Sequence, residues 1–197
     1  MLRKERELPV SPSTARRAIP WLAALGFALR VGARLYSGGA DFWVNGYTFF
    51  FAMAQNIAAG HGVGFDGGPP TAFRVPLYPM FLAAITFGHQ AFIPVLLAQA
   101  LIGAGTVLCA ALLGAELFDT RAAVTAGALT AVYPYYMVHD TALQETGLFT
   151  FLTALAILLL VRAHRNGRMR RPRAGCGDPD AGDRCAVRGA GSAMAVS

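Results

Sequence analysis

Cysteine is scarce in this sequence. Cys109 sits in an apolar run and Cys176 and Cys185 lie in the C-terminal tail, a distribution that indicates neither a disulfide framework nor a metal site. Charge is also sparse: 14% of the 197 residues are charged and 55% are hydrophobic, with a mean hydropathy of +0.45. That is more apolar surface than one soluble core of this length needs, and it implies a membrane protein. No internal repeat and no soluble domain is evident.

Acids are the rarer charge, 11 against 17 Lys and Arg, for a net charge of +6. The excess is not spread over a surface that could read nucleic acid. Five basic residues lie between Met1 and Arg17 and eight follow from Arg162 onward, with only Arg30, Arg34, Arg74 and Arg121 between. Basic ends flanking an apolar middle are the charge map of an integral membrane protein with both ends in the cytoplasm. The stretch AIPWLAALGFALRVGARLYS runs through two arginines without a clean cleavage site, so it reads as a retained helix rather than a signal peptide.

Four segments are apolar enough to cross: Ala18 to Tyr36, Ala91 to Leu117, Ala122 to Val138 and Thr146 to Val161. A fifth apolar run, Val75 to Phe87, is too short for a hydrocarbon core that takes roughly 20 helical residues. Counting it would place the two basic ends on opposite sides. It is therefore expected to be a juxtamembrane or re-entrant helix on the outer face. A companion is expected from Tyr47 to Ala59, with Phe50, Met53, Ala54 and Ile57 on one face and Gly60 as the stop. The expected fold is all-α: a basic cytoplasmic N-terminus (1–17), a first transmembrane helix (18–36), an outer loop with two juxtamembrane helices (37–90), three further transmembrane helices (91–161) and a basic tail (162–197). Gly103, Gly105, Gly114 and Gly127 offer close-approach surfaces within the spans.

Ionisable groups at membrane depth are costly, so each demands a reason. Arg30 and Arg34, four apart, share a helix face. They read either as a pair of guanidinium groups meeting a phosphate or as side chains snorkelling to the headgroups. The acids expected to face outward are Asp41, Asp66, Asp140 and Glu145. Brought to one membrane face, such acids could serve as a general base and as a ligand for a divalent cation, or simply solvate loops. Arg74, before Pro76, suits an acid, a phosphate or interfacial anchoring. His61 and His139 read as hydrogen-bonding loop residues. Trp43, Tyr47, Phe49, Tyr78, Tyr133, Tyr135 and Tyr136 read first as an interfacial belt and second as a sugar platform.

The pattern A-x-N-[IL]-A-x-G-x-G, here AQNIAAGHG, followed by RVPLYP and then by AVYPYY and LQETGLFTFL, resembles the N-terminal part of bacterial GT-C fold glycosyltransferases of the protein-mannosyltransferase and aminoarabinose-transferase type. The resemblance covers about Arg30 to Arg165. It implies an enzyme of the bacterial cytoplasmic membrane that moves a sugar from a polyprenyl-phosphate carrier to a lipid, glycan or protein acceptor at the outer face. It implies a first-loop carboxylate as catalytic base, Asp41 being the nearest candidate, since the expected position falls near Gly46 or Asn45. It matches Arg74 to the arginine before the P-L-Y-P element and Glu145, or alternatively Asp140, to the second acid or metal ligand; with Arg30 and Arg34 from their shared helix face and Tyr78 from the aromatic set, Arg74 makes up the phosphate- or substrate-binding candidates.

Members of that family usually carry more spans than four. The tail from about Asn166, rich in Arg, Gly, Ala, Asp and Cys without periodicity, reads as disordered. It fits a frame-shifted GC-rich reading or a cytoplasmic tail on anionic lipid. Two further readings follow: a non-catalytic membrane protein that binds lipid-linked sugar or assists a larger transferase, and an inactive truncation product.

Overall fold

The structure is a computed structural model that describes residues 12–39, 42–43, 48–65 and 75–165. Every regular element among them is a helix: α1 (Pro12–Ser37), α2 (Thr48–Ala58), α3 (Leu77–Thr86), α4 (Phe92–Leu117), α5 (Thr120–Val132), α6 (Pro134–Asp140) and α7 (Thr146–Arg165). The all-helical expectation holds for these residues. The chain divides into a unit of residues 1–160 and a second of 161–197. Of the second, the described part is the last turn of α7, which carries Arg162, His164 and Arg165.

Among the described residues three helices are long and apolar enough to cross a membrane: Arg17–Ser37 of α1, α4 and α7. The expected third span, Ala122 to Val138, is not one helix. Tyr133 adopts extended backbone (φ −67°, ψ 116°) and α6 begins at Pro134. The proline ring disfavours helical backbone at the residue before it, while its own fixed φ suits a first helical position. The result is a 13-residue helix followed by one of seven residues, neither of which alone reaches across.

The two short helices lie close to the expected bounds. Helix α2 ends at Ala58, with Gly60 at φ +81°. Helix α3 ends on Phe87 in left-handed backbone, whose N–H donates to the Ala83 carbonyl. They pack together through an aromatic core in which Phe42, Phe50, Phe51, Tyr78 and Leu82 are buried. The Phe50 and Tyr78 rings meet edge to face at 5.0 Å, a favoured aromatic geometry. The Gln55 side-chain amide donates to the Gly88 carbonyl at 3.2 Å, tying α2 to the end of α3.

Helices α1, α4 and α5 form the main bundle, and small residues set how closely they approach. At Gly114, a Cβ would lie 2.8 Å from the Ala122 carbonyl oxygen, so only glycine admits the turn into α5 there. Gly105 and Gly127 receive Phe151 and Ala111 in the same manner. Asp119 caps α5, its carboxylate accepting from the Ala122 N–H at 2.7 Å. Around this bundle large apolar side chains face outward, among them Leu101, Phe149 and Leu160, and α7 is only 11% buried along its apolar stretch. Exposed apolar surface on this scale belongs against lipid rather than water.

Candidate functional site

Arg30 stands on the inner face of α1, and none of its surface is exposed. Its Nε donates to Asp140 Oδ2 at 2.7 Å, and its Nη1 donates to the Gly26 carbonyl one turn back at 3.1 Å. The pair passes directly over Gly103 of α4, where a Cβ would sit 2.3 Å from Arg30 Nε and 2.7 Å from Asp140 Oδ2. Gly103 therefore makes room for a buried ion pair, whereas the sequence suggested helix contact. On the other side Gly147, at the start of α7, brings its backbone against Asp140, with a Cβ position 2.9 Å from Oδ1.

A second polar cluster adjoins the first. Gln99 of α4, buried, donates from Nε2 both to Tyr78 Oη on α3 at 2.7 Å and to the Ala142 carbonyl at 2.8 Å. Burial pushes the Tyr78 phenol far above its usual range; the Glu145 charge adds to this and hydrogen bonding to the Gln144 backbone opposes it. Tyr78 thus stays a neutral hydroxyl. Gln144 in turn pairs with His139 Nδ1 and donates to the His139 carbonyl. The segment after α6 is in this way bound to α3 and α4 at once.

A third feature opens between the end of α1 and α6. A recess of about 270 Å³ is lined by Ala33, Arg34, Ser37, Pro134, Met137, Val138 and Thr141. Arg34 is half-buried in its wall, with its guanidinium carbon 5.0 Å from the Phe42 ring centre and 6.0 Å from that of Phe92. Two aromatic faces stabilise the cation there.

Against the sequence expectations, the two arginines of one helix face part company: Arg30 is sealed inside on Asp140, and Arg34 reaches the recess. Asp140, expected in an outward loop, is buried. Glu145 is half-buried just before α7, and Tyr78 is a core residue rather than a belt residue. Asp41, Arg74, Asp66 and Tyr47 lie outside the described residues, as does the tail from 166. Gln99, Gln144 and the role of Gly103 escaped the sequence reading. Gln99 was visible as the lone amide in an otherwise apolar span, where a polar side chain needs a partner.

Asp140 Oδ2 already accepts from a guanidinium, and among the described residues no group of three or more His, Cys, Asp or Glu converges.

Described residues whose regular elements are all helices, three of them long and apolar enough to cross a membrane, define a membrane protein. Residues 74–172, half of the chain, match the family described as dolichyl-phosphate-mannose-protein mannosyltransferase, and the chain belongs to that family. This makes it a membrane protein of glycosyltransferase type with a GT-C-like helical module. Searches of curated proteins and of solved structures found no match.

Proposed function

We propose that the chain transfers a sugar from a polyprenyl-phosphate carrier to a lipid, glycan or protein acceptor at the outer face of a bacterial cytoplasmic membrane. The observation that carries this reading, in a chain of this family, is the recess with Arg34 in its wall and Ser37 and Thr141 beside it. The Arg34 guanidinium suits a phosphate, and the apolar Ala33, Met137 and Val138 suit the first part of an isoprenoid; the Ser37 and Thr141 hydroxyls donate to the Ala33 and Met137 carbonyls. Helices α5 and α6 cross as one interrupted span, which makes four crossings and leaves α2 and α3 on the outer face. A break at membrane depth is tolerated where protein covers the freed backbone groups.

In the reaction, Asp41 takes the proton from the acceptor hydroxyl or amine as that atom attacks the anomeric carbon. The bond from that carbon to the phosphate oxygen breaks, with inversion, and the polyprenyl phosphate leaves with its charge met by Arg34 and Arg74. Arg30 and Asp140 hold the frame of the site, and Glu145 is the second acid at its edge.

The test is binding of undecaprenyl phosphate to the full chain in lipid nanodiscs. Arg34→Ala should weaken it about tenfold or more, the scale of one charge-assisted hydrogen bond. Unchanged affinity would remove the recess from the account. Asp41→Asn should leave that binding intact and abolish transfer; retained transfer rejects Asp41 as the base. One observation favours a second reading, binding of lipid-linked sugar without transfer: Asp140, a buried acid at the end of α6, is already paired with Arg30.

A further inference from the structure

Between α3, α4 and the start of α7 lies a partly open void of about 10 Å³, with Tyr78, Gln99, Asp140, Gln144 and Gly147 in its walls. That volume corresponds to the space that one water-sized sphere needs. We propose that it is the binding site of one water molecule, held by Tyr78, Gln99 and Asp140.

The hydrogen-bond accounting leads to this site. Gln99 is 4% exposed and its Oε1 is buried with no partner among the described residues. Its amide cannot be reversed to relieve this, because the group opposite is the Ala142 carbonyl, which only accepts. An unsatisfied carbonyl so deep is costly, so a donor is required at that point. Tyr78 Oη accepts from Gln99 Nε2, which leaves its own O–H to donate. Asp140 commits Oδ2 to Arg30, and its Oδ1 lies on the side of Gly147, another wall of the void.

A water here accepts from the Tyr78 hydroxyl and donates to Gln99 Oε1 and to the Asp140 carboxylate. Three bonds is the usual complement of a buried water. The bridge extends the buried pair Arg30–Asp140 of the bundle to α3, so that α3 cannot shift without breaking it. The inference rests on packing and hydrogen-bond chemistry and holds whether or not the chain transfers sugar.

The experiment is protein–water Overhauser spectroscopy on the isotope-labelled full chain in detergent micelles. The expected result is a cross-peak from a long-lived water to the Gln99 side-chain amide and the Gly147 N–H. It should be lost or reduced severalfold in Tyr78→Phe, which removes only the O–H, and lost in Gln99→Leu. If Gln99→Leu does not fold, Tyr78→Phe alone decides. Absence of the cross-peak in the unaltered chain overturns the proposal, as does its persistence at full strength in Tyr78→Phe.

Discussion

Arg30 has no contact with solvent, and its only anionic partner among the described contacts is Asp140. Removing one member of such a pair is far worse than removing both. Asp140→Ala should destabilise the chain by about 3–5 kcal/mol in reversible unfolding in detergent, because it strands a buried guanidinium. The double change Arg30→Met with Asp140→Leu should recover most of that loss, and a double variant no more stable than Asp140→Ala would contradict a buried pair. Gly103→Ala forces a methyl group into the same pair and should cost about 1–3 kcal/mol in that assay. At this scale the sequence showed which residues were unusual but not which ones met. Arg30 and Asp140 are 110 positions apart, and helical spacing carries no information over that distance. Spacing did put Arg30 and Arg34 on one face. It could not show that one turn separates a sealed interior from an open recess.

Elements were more legible, because apolar length and punctuation are local properties. Helix α4 begins and ends within one residue of the apolar run that predicts it, and α2 and α3 stop where Gly60 and the Phe87–Gly88 pair permit left-handed backbone. The miss was at Pro134. The apolar pattern runs through it unbroken, yet the ring's effect on Tyr133 splits the expected third span. Proline outweighed periodicity there. The start of α5 rests on a single cap, so Asp119→Ala should lower stability by about 1 kcal/mol, the usual worth of an N-cap, in the same unfolding assay. Asp119→Asn or Asp119→Ser, which keep an acceptor, should restore most of it. No difference between Ala and Ser at this position would show that the cap bond carries nothing.

For the whole molecule, composition and the charge map pointed to a membrane protein from the outset, and the outward-facing apolar side chains agree. Orientation is open to a direct check with the native cysteines, since Cys109 is buried. In right-side-out vesicles a membrane-impermeant maleimide should label a cysteine placed at Thr48, and should reach Cys176 and Cys185 only after permeabilisation. The reverse pattern would invert the topology. The central claim is sugar transfer, and it is tested most directly by reconstituting the full chain in proteoliposomes with a radiolabelled polyprenyl-phosphate sugar and following label into acceptor. The account predicts donor-dependent transfer that Asp41→Asn abolishes and Arg34→Ala reduces. Donor binding by the folded chain with no transfer to any lipid, glycan or peptide acceptor would contradict it and leave a protein that binds lipid-linked sugar without moving it.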